Sequence, residues 1–218
     1  MALEKEFEGS STGTGSLYEF FTPDLVVKKM WELAYMYGFN KDGYVLEPAS
    51  GDGRMIKYAP NKSKVVSFEI NKENIERLKL EYPGVTVFDK SFETAFLEEP
   101  RFNSKIKSKI KPTWLKQYPF DLVIANPPYG KYIGYYSTYF NFNGQFEHFF
   151  IEYTMKLVKK GGLGVFLVPS SFMRNGSMYN SVKSRILAES NFVDAYRLPA
   201  NIFAKTGIGT DIIVFRKK

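Results

Sequence analysis

Tyr44 to Ile70 reads YVLEPASGDGRMIKYAPNKSKVVSFEI, and this stretch decides the fold class. It opens with a strand-like run, Tyr44 to Pro48, turns through Gly51 and Gly53, passes a short helical piece, Arg54 to Tyr58, and ends in a second strand-like run, Lys64 to Ile70. Neither run shows the polar/apolar alternation of a sheet with one wet face, so both read as strands covered by helices on both sides. Val85 to Asp89 and Phe120 to Asn126 repeat the pattern, and a helical stretch charged on one face, Lys72 to Tyr82, precedes the third strand. A repeat of buried strands and helices predicts an α/β fold with a parallel sheet.

Outward from this core, Pro23 to Gly38 spaces Leu25, Val26, Met30, Leu33 and Met36 at helical intervals. Thr22 is the expected N-cap, Pro23 the first helical residue and Gly38 the stop. Residues 1–17 are polar, with a Gly/Ser/Thr-rich stretch and no apolar period, and read as a mobile arm ahead of one domain over 18–218. Toward the other end, a helix from about Gln145 to Lys160 is expected to stop at Gly161-Gly162, before a buried strand from Leu163 to Val168. Val193 to Leu198 and Asp211 to Arg216 are joined by twelve residues without a crossover helix, which predicts an antiparallel pair at the end of the sheet.

The chain has 218 residues, no cysteine and one histidine, His148. A disulfide scaffold, a Cys/His zinc site and a Ser-His-Asp triad are therefore not expected, nor is any other metal, and a reducing cytoplasm suits the composition. No apolar run approaches the roughly 20 residues of a bilayer span, and Glu4, Glu6 and Glu8 stand where a signal peptide needs apolar residues. The expected protein is soluble and makes no membrane contact. A net charge of +7 favours an anionic partner. Charge gathers in an insertion at about 101–118, where Arg101, Lys105, Lys107, Lys109, Lys111 and Lys116 occur without an acidic residue. Lys105, Lys107, Lys109 and Lys111 are candidates for phosphate contacts, and a solvated loop accounts for them equally well.

Three places carry the chemistry. Leu46 to Arg54, LEPASGDGR, follows the first strand and opens a helix. Glycines there let the backbone approach a ligand, and ligands of such sheets lie beyond the carboxyl ends of the strands. A nucleotide-like cofactor is implied, although a plain glycine turn has the same composition. Glu69 ends the second strand roughly 20 residues later, placed to accept ribose hydroxyls. Asp89 ends the third, as an acceptor for an adenine amino group or as an ordinary helix cap.

The third place is Asn126-Pro127-Pro128-Tyr129-Gly130, directly after FDLVIA. Two prolines fix φ and leave carbonyls without competing N-H groups, so the loop is rigid and rich in acceptors. An exocyclic amino group on a base is a poor nucleophile because its lone pair is delocalised into the ring. If the Asn126 side-chain oxygen and the Pro127 carbonyl each accept one of its N-H bonds, the lone pair turns toward a methyl donor. Catalysis is then orientation plus hydrogen bonding. Tyr129 offers an aromatic face on which a flipped-out base stacks.

From Tyr18 to Lys217 the chain resembles the amino-methyltransferases of DNA, in particular the N6-adenine class in which the cofactor motifs precede the catalytic tetrapeptide. The resemblance implies a Rossmann-like class I methyltransferase fold. That fold has a mostly parallel seven-stranded sheet with an antiparallel last strand and helices on both faces. It implies S-adenosylmethionine as cofactor and DNA as partner. Phe20-Phe21-Thr22-Pro23 is similar to the family's FTP element, which contacts the methionine part of the cofactor. Glu47, Pro48, Ala49, Gly51 and Gly53 match its cofactor loop, with Glu47 near the methionine amino group. Glu69 and Ile70 fall at the ribose, and Asp89 and Phe150 at the cofactor adenine. Asn126, Pro127, Pro128 and Tyr129 are the catalytic tetrapeptide, and Phe203 is the aromatic that faces the target base opposite Tyr129.

Two departures stand out. Lys90 replaces an apolar residue, whose place Phe92 or a lysine stem takes. No target-recognition domain follows the last strand, which implies a separate specificity subunit or a recognition domain elsewhere. Tyr132, Tyr135, Tyr136, Tyr139, Phe140 and Phe142, in the loop at about 131–146, suggest a base-stacking lid, with half of them packing under it as the plainer reading. Protein glutamine, RNA adenine and a non-catalytic cofactor- or DNA-binding role are the alternatives. The segment IFAKTGIGTDIIVF also resembles one in helicase-methyltransferase polypeptides of phages and plasmids.

Overall fold

The computed structural model describes residues 22–97, 120–134, 136–199, 202 and 209–218. Its seven strands are β1 Val45–Glu47, β2 Val65–Phe68, β3 Thr86–Phe88, β4 Phe120–Ala125, β5 Val158–Pro169, β6 Ser190–Arg197 and β7 Thr210–Lys217. They form one sheet in the order β3-β2-β1-β4-β5-β7-β6. The strands β3, β2, β1, β4 and β5 pair in parallel, and β7 runs antiparallel between β5 and β6. This is the class I methyltransferase sheet. The order reverses between β1 and β4, so a crevice opens at their carboxyl ends.

The missing polar/apolar alternation has a direct cause, because successive side chains of the central strands enter two different cores. Leu122 and Ile124 join Val45 and Val65 under α1, Asp24–Met36, together with Leu78 from α3, Lys72–Glu81. Val123 and Ala125 join Leu46 and Val66 on the other face, under α5, Phe146–Met155, and α6, Ser177–Glu189. Two short helices complete the set, α2 at Arg54–Lys57 and α4 at Ser137–Phe140. At the margin β3 is only half-buried, since an edge strand has one neighbour.

Three details differ from the sequence reading. The helix expected to reach Lys160 ends at Met155, because Val158 already pairs with Phe120. Lys159 to Gly162 are taken up where the β4–β5 register shifts, with Gly161 at φ 81°. The sequence reading gave no helix for α6, whose Val182 and Ile186 are buried one turn apart. The aromatic loop is mainly core. Tyr132 stacks on Phe149 at 4.4 Å, Phe149 stacks on Tyr153 at 4.4 Å, and Phe140 meets Phe149 edge-on at 4.9 Å. Tyr136 and Phe142 pack partly against this cluster, Tyr139 is exposed, and Tyr135 lies outside the described residues.

Phe149 is fully buried at the centre of these rings. Phe149→Ala is expected to cost about 3–5 kcal/mol, read as a lower denaturant midpoint in equilibrium unfolding.

Candidate active site

The glycine loop is fastened to the next strand before any ligand enters. The Ser50 N-H donates to the Phe68 carbonyl at 3.1 Å, and the Ser67 hydroxyl donates to Ser50 Oγ at 2.6 Å. The Gly51 N-H donates to Glu69 Oε2 at 2.6 Å, while Glu69 Oε1 accepts from Ile70 and Asn71 at 2.8 and 2.7 Å. Glu69 is thus buried and acts first as the clasp between β2 and the loop. Gly51 and Gly53 both have positive φ, 51° and 82°. They serve different ends. A Cβ on Gly53 would lie 2.5 Å from Leu78 Cδ2, so that glycine permits close packing of α3, whereas a Cβ on Gly51 would meet nothing within 4 Å.

Glu47, at the end of β1, is 3% exposed, and its Oε2 has no hydrogen-bond partner. Burial, then the charges of Asp52 and Glu69, push its carboxyl well above the usual carboxylate range. Asp52 is paired with Arg54 at 2.7 Å and Glu69 with main-chain N-H groups, so Glu47, with an oxygen unpartnered among the described residues beside a loop with space on one side, is the acid that suits a positively charged ligand group. S-adenosylmethionine carries both a sulfonium and an ammonium, so the residues present fit it. Ile70 and Asp89 are exposed at the same edge, Pro48 is buried and Ala49 half-buried. Phe150 packs on Phe92 at 5.3 Å, and Phe92 is buried among Phe68, Phe96 and Phe150, while Lys90 is exposed.

Asn126 follows β4 across the crevice, with Pro127 buried and Pro128 half-buried behind it. Its Nδ2 donates to Thr22 Oγ1 at 3.0 Å. Thr22 therefore does not cap α1 with its side chain: Pro23 occupies the cap position, no side chain caps the helix, and the threonine hydroxyl is turned to the tetrapeptide. The amide is thereby set with its oxygen side away from Thr22. The Tyr129 ring is half-exposed, and its hydroxyl is buried. Phe203 and Lys105, Lys107, Lys109 and Lys111 lie outside the described residues, as do residues 1–21. The strands flanking the Phe203 segment end and begin at this edge, where Arg197 forms a two-point ion pair with buried Asp211.

Two acids were passed over in the sequence. Glu93 is buried, accepts the Tyr132 hydroxyl and the Tyr136 N-H, and takes the Ser91 hydroxyl at 2.6 Å, so it ties the segment after β3 to the loop after the tetrapeptide. Glu147 is buried in the first turn of α5, next to Phe146, whose N-H donates to the Gly130 carbonyl at 2.7 Å. The signal for each was an acid inside an otherwise apolar run, SFETAF and QFEHFFI.

Residues 30–203 match the family described as Eco57I restriction-modification methylase. Over 211 residues the chain is 26% identical to Defense against restriction protein B of Escherichia phage P1, a match that covers 93% of this chain and 8% of that protein. The methyltransferase subunit of a type I restriction-modification system from Streptococcus thermophilus superposes with a TM-score of 0.67 at 22% identity, over 92% of this chain and 45% of that one. The type IIG restriction endonuclease BpuSI does so with a TM-score of 0.66 at 14% identity, over 94% of this chain and 26% of that one. The chain thus spans less than half of each of these proteins.

Burial pushes the Glu147 carboxyl up to about 7, from an ordinary 4.5. Between those values the unfolded chain has released a proton that the folded protein keeps, so this group lowers stability as pH rises from about 4.5 to about 7. Glu147→Gln removes the effect. Relative to wild type, its Tm is expected to be roughly 7–14 °C more favourable at about pH 8 than at about pH 4. Thermal unfolding by circular dichroism at both pH values checks this, and a difference independent of pH would contradict it.

Proposed function

The chain belongs to the Eco57I restriction-modification methylase family, and we propose that it transfers a methyl group from S-adenosylmethionine to the N6 amino group of adenine in DNA. The observation that carries this reading is the hydrogen bond from Asn126 to Thr22, which sets the amide of a doubly proline-stiffened loop beside the crevice between β1 and β4. The cofactor supplies an electrophilic methyl group on its sulfonium. Glu47 receives the ammonium end, with Asp52 adding negative charge beside it, and Glu69 accepts the ribose hydroxyls. Ile70, Asp89 and Phe150 line the nucleoside side, with Thr22, Pro23, Pro48, Ala49, Gly51 and Gly53 shaping the opposite wall.

Asn126 Oδ1 and the Pro127 carbonyl accept the two N-H bonds of the target amino group. Each bond pulls nitrogen toward tetrahedral geometry and frees its lone pair for in-line attack. Orientation of this kind accounts for several kcal/mol of barrier without a strong base. Tyr129 stacks on the flipped base, with Phe203 as its counterpart, and this offsets the few kcal/mol of unstacking. Lys105, Lys107, Lys109 and Lys111 are assigned to the phosphate backbone.

The short share of its relatives that the chain spans supports a further assignment, that of catalytic domain in a longer modification or helicase-methyltransferase assembly. Sequence choice then rests with a recognition domain or specificity subunit.

Wild-type protein incubated with labelled S-adenosylmethionine and unmethylated DNA is expected to yield N6-methyladenine by nuclease digestion and mass spectrometry. Asn126→Ala should lose the product while still gaining thermal stability from the cofactor. Product from that variant would refute the assigned chemistry, and N4-methylcytosine, methylated RNA or methylglutamine in place of N6-methyladenine would reassign the substrate. Thr22→Val, which keeps the shape and removes the hydroxyl, should lower turnover about tenfold, equivalent to about 1.4 kcal/mol, with Thr22→Ser restoring most of it. Unchanged turnover in Thr22→Val would show that the amide needs no such support.

A further inference from the structure

Glu147 has no role in the chemistry described so far, yet it is 3% exposed and stands beside the reactive loop. The start of α5 is fastened to that loop by main-chain contacts. The Phe146 N-H donates to the Gly130 carbonyl at 2.7 Å, Lys131 bridges Gln145, and the Tyr132 N-H donates to the Gly144 carbonyl at 3.0 Å. The main-chain N-H groups of Gly130 and of Glu147 itself draw the Glu147 carboxyl down, against the larger effect of burial. Its Oε2 is buried and has no partner among the described residues.

The Tyr129 hydroxyl is also buried and, among the described residues, also lacks a partner, although the residue as a whole is only half-buried. The charge of Glu147 reaches this phenol through space and, after burial, is the second influence that holds it in its protonated form. A buried donor without an acceptor therefore lies near a buried acceptor without a donor, on two segments locked together. Native structures leave few such groups unmatched, because each forfeits its hydration without return. His148 Nε2, next along the helix, is also buried without a partner among the described residues, but the His148 ring packs between Phe172 and Tyr179 at 5.6 and 5.3 Å and the charges that act on it are those of Arg185 and Lys183.

We propose that Glu147 is a positioning residue acting through Tyr129: its Oε2 accepts the tyrosine hydroxyl in the working site and so fixes the half-exposed ring that meets the target base. A tyrosine side chain held at Cα alone sweeps its ring about two torsions. A second anchor at the hydroxyl removes that freedom and leaves one face outward. The carboxylate, on a helix start bonded to the Gly130 carbonyl through the Phe146 N-H, gives the anchor a fixed origin. This inference rests on the assignment of Asn126 to Tyr129 as the reactive loop, but the bond itself is measurable without turnover.

The test is a pH titration of the Glu147 side-chain carbon by NMR, in the full chain and in Tyr129→Phe, each with and without an adenine-containing oligonucleotide. Loss of a donor to the ionised carboxylate should raise the Glu147 midpoint by about half a pH unit or more in the variant. Identical midpoints in wild type and variant, in both states, overturn the proposal. Turnover supplies an independent arm. Tyr129→Phe and Glu147→Ala should each lower kcat about tenfold with cofactor affinity unchanged, the double variant should be no worse than either, and Glu147→Gln should recover part of the loss. Losses that multiply would show that Glu147 acts apart from Tyr129. If wild type transfers no methyl group, the methyltransferase reading fails and the titration alone decides whether the pair exists.

Discussion

The divergence of β1 and β4 is the constraint on which the rest of the molecule depends. The chain leaves β1 toward one side of the sheet, to β2 and β3, and resumes from β4 toward the other. No connection can cover both carboxyl ends at once, so a crevice is left there with Glu47 on one lip and Asn126 on the other. The strands that make the crevice are buried on both faces, and this rigid support holds the two lips in register. Loops that would drift on a softer scaffold are then pinned by short bonds, Gly51 to Glu69 and Asn126 to Thr22.

Electrostatics gives the two lips different characters. Around the glycine loop, Asp52 pairs with Arg54 at 2.7 Å and Glu69 accepts three main-chain N-H groups, whereas Glu47 is buried beside both acids, with its carboxyl held well above the usual range. Across the crevice the Asn126 loop is neutral and presents acceptors set by proline geometry. A cationic methyl donor on one side and an amino group on the other is the pairing this asymmetry favours. Among the described residues, Glu47 Oε2, the Tyr129 hydroxyl and Glu147 Oε2 are buried polar atoms without a partner, and such atoms cost stability in the free protein.

Legibility from the sequence was uneven, for physical reasons. Strand identity and the three motifs were visible because burial on both faces and glycine or proline backbone demands act residue by residue. The end of α5 was not, since helical periodicity runs on through Lys156 and Leu157 until pairing with Phe120 claims Val158. The aromatics after the tetrapeptide were open to two readings, and packing on Phe149 decided that Tyr132 and Phe140 are core. Thr22 was read as a cap from its neighbours in the chain, whereas its hydroxyl turns to a residue 104 positions away.

By itself the sequence determined the class of sheet, the carboxyl-edge location of the motifs and the chemical types gathered there, because each follows from local backbone preference and from the period of apolar residues. Only the tertiary structure decided which groups meet. The clasp of Glu69 on Gly51, the hold of Thr22 on Asn126, the Glu93 tie to Tyr132 and the burial of Glu147 beside Tyr129 all join residues from separate elements. A pattern along the chain records what each residue prefers. It holds no record of the distances that two independent elements acquire once they pack on a shared core.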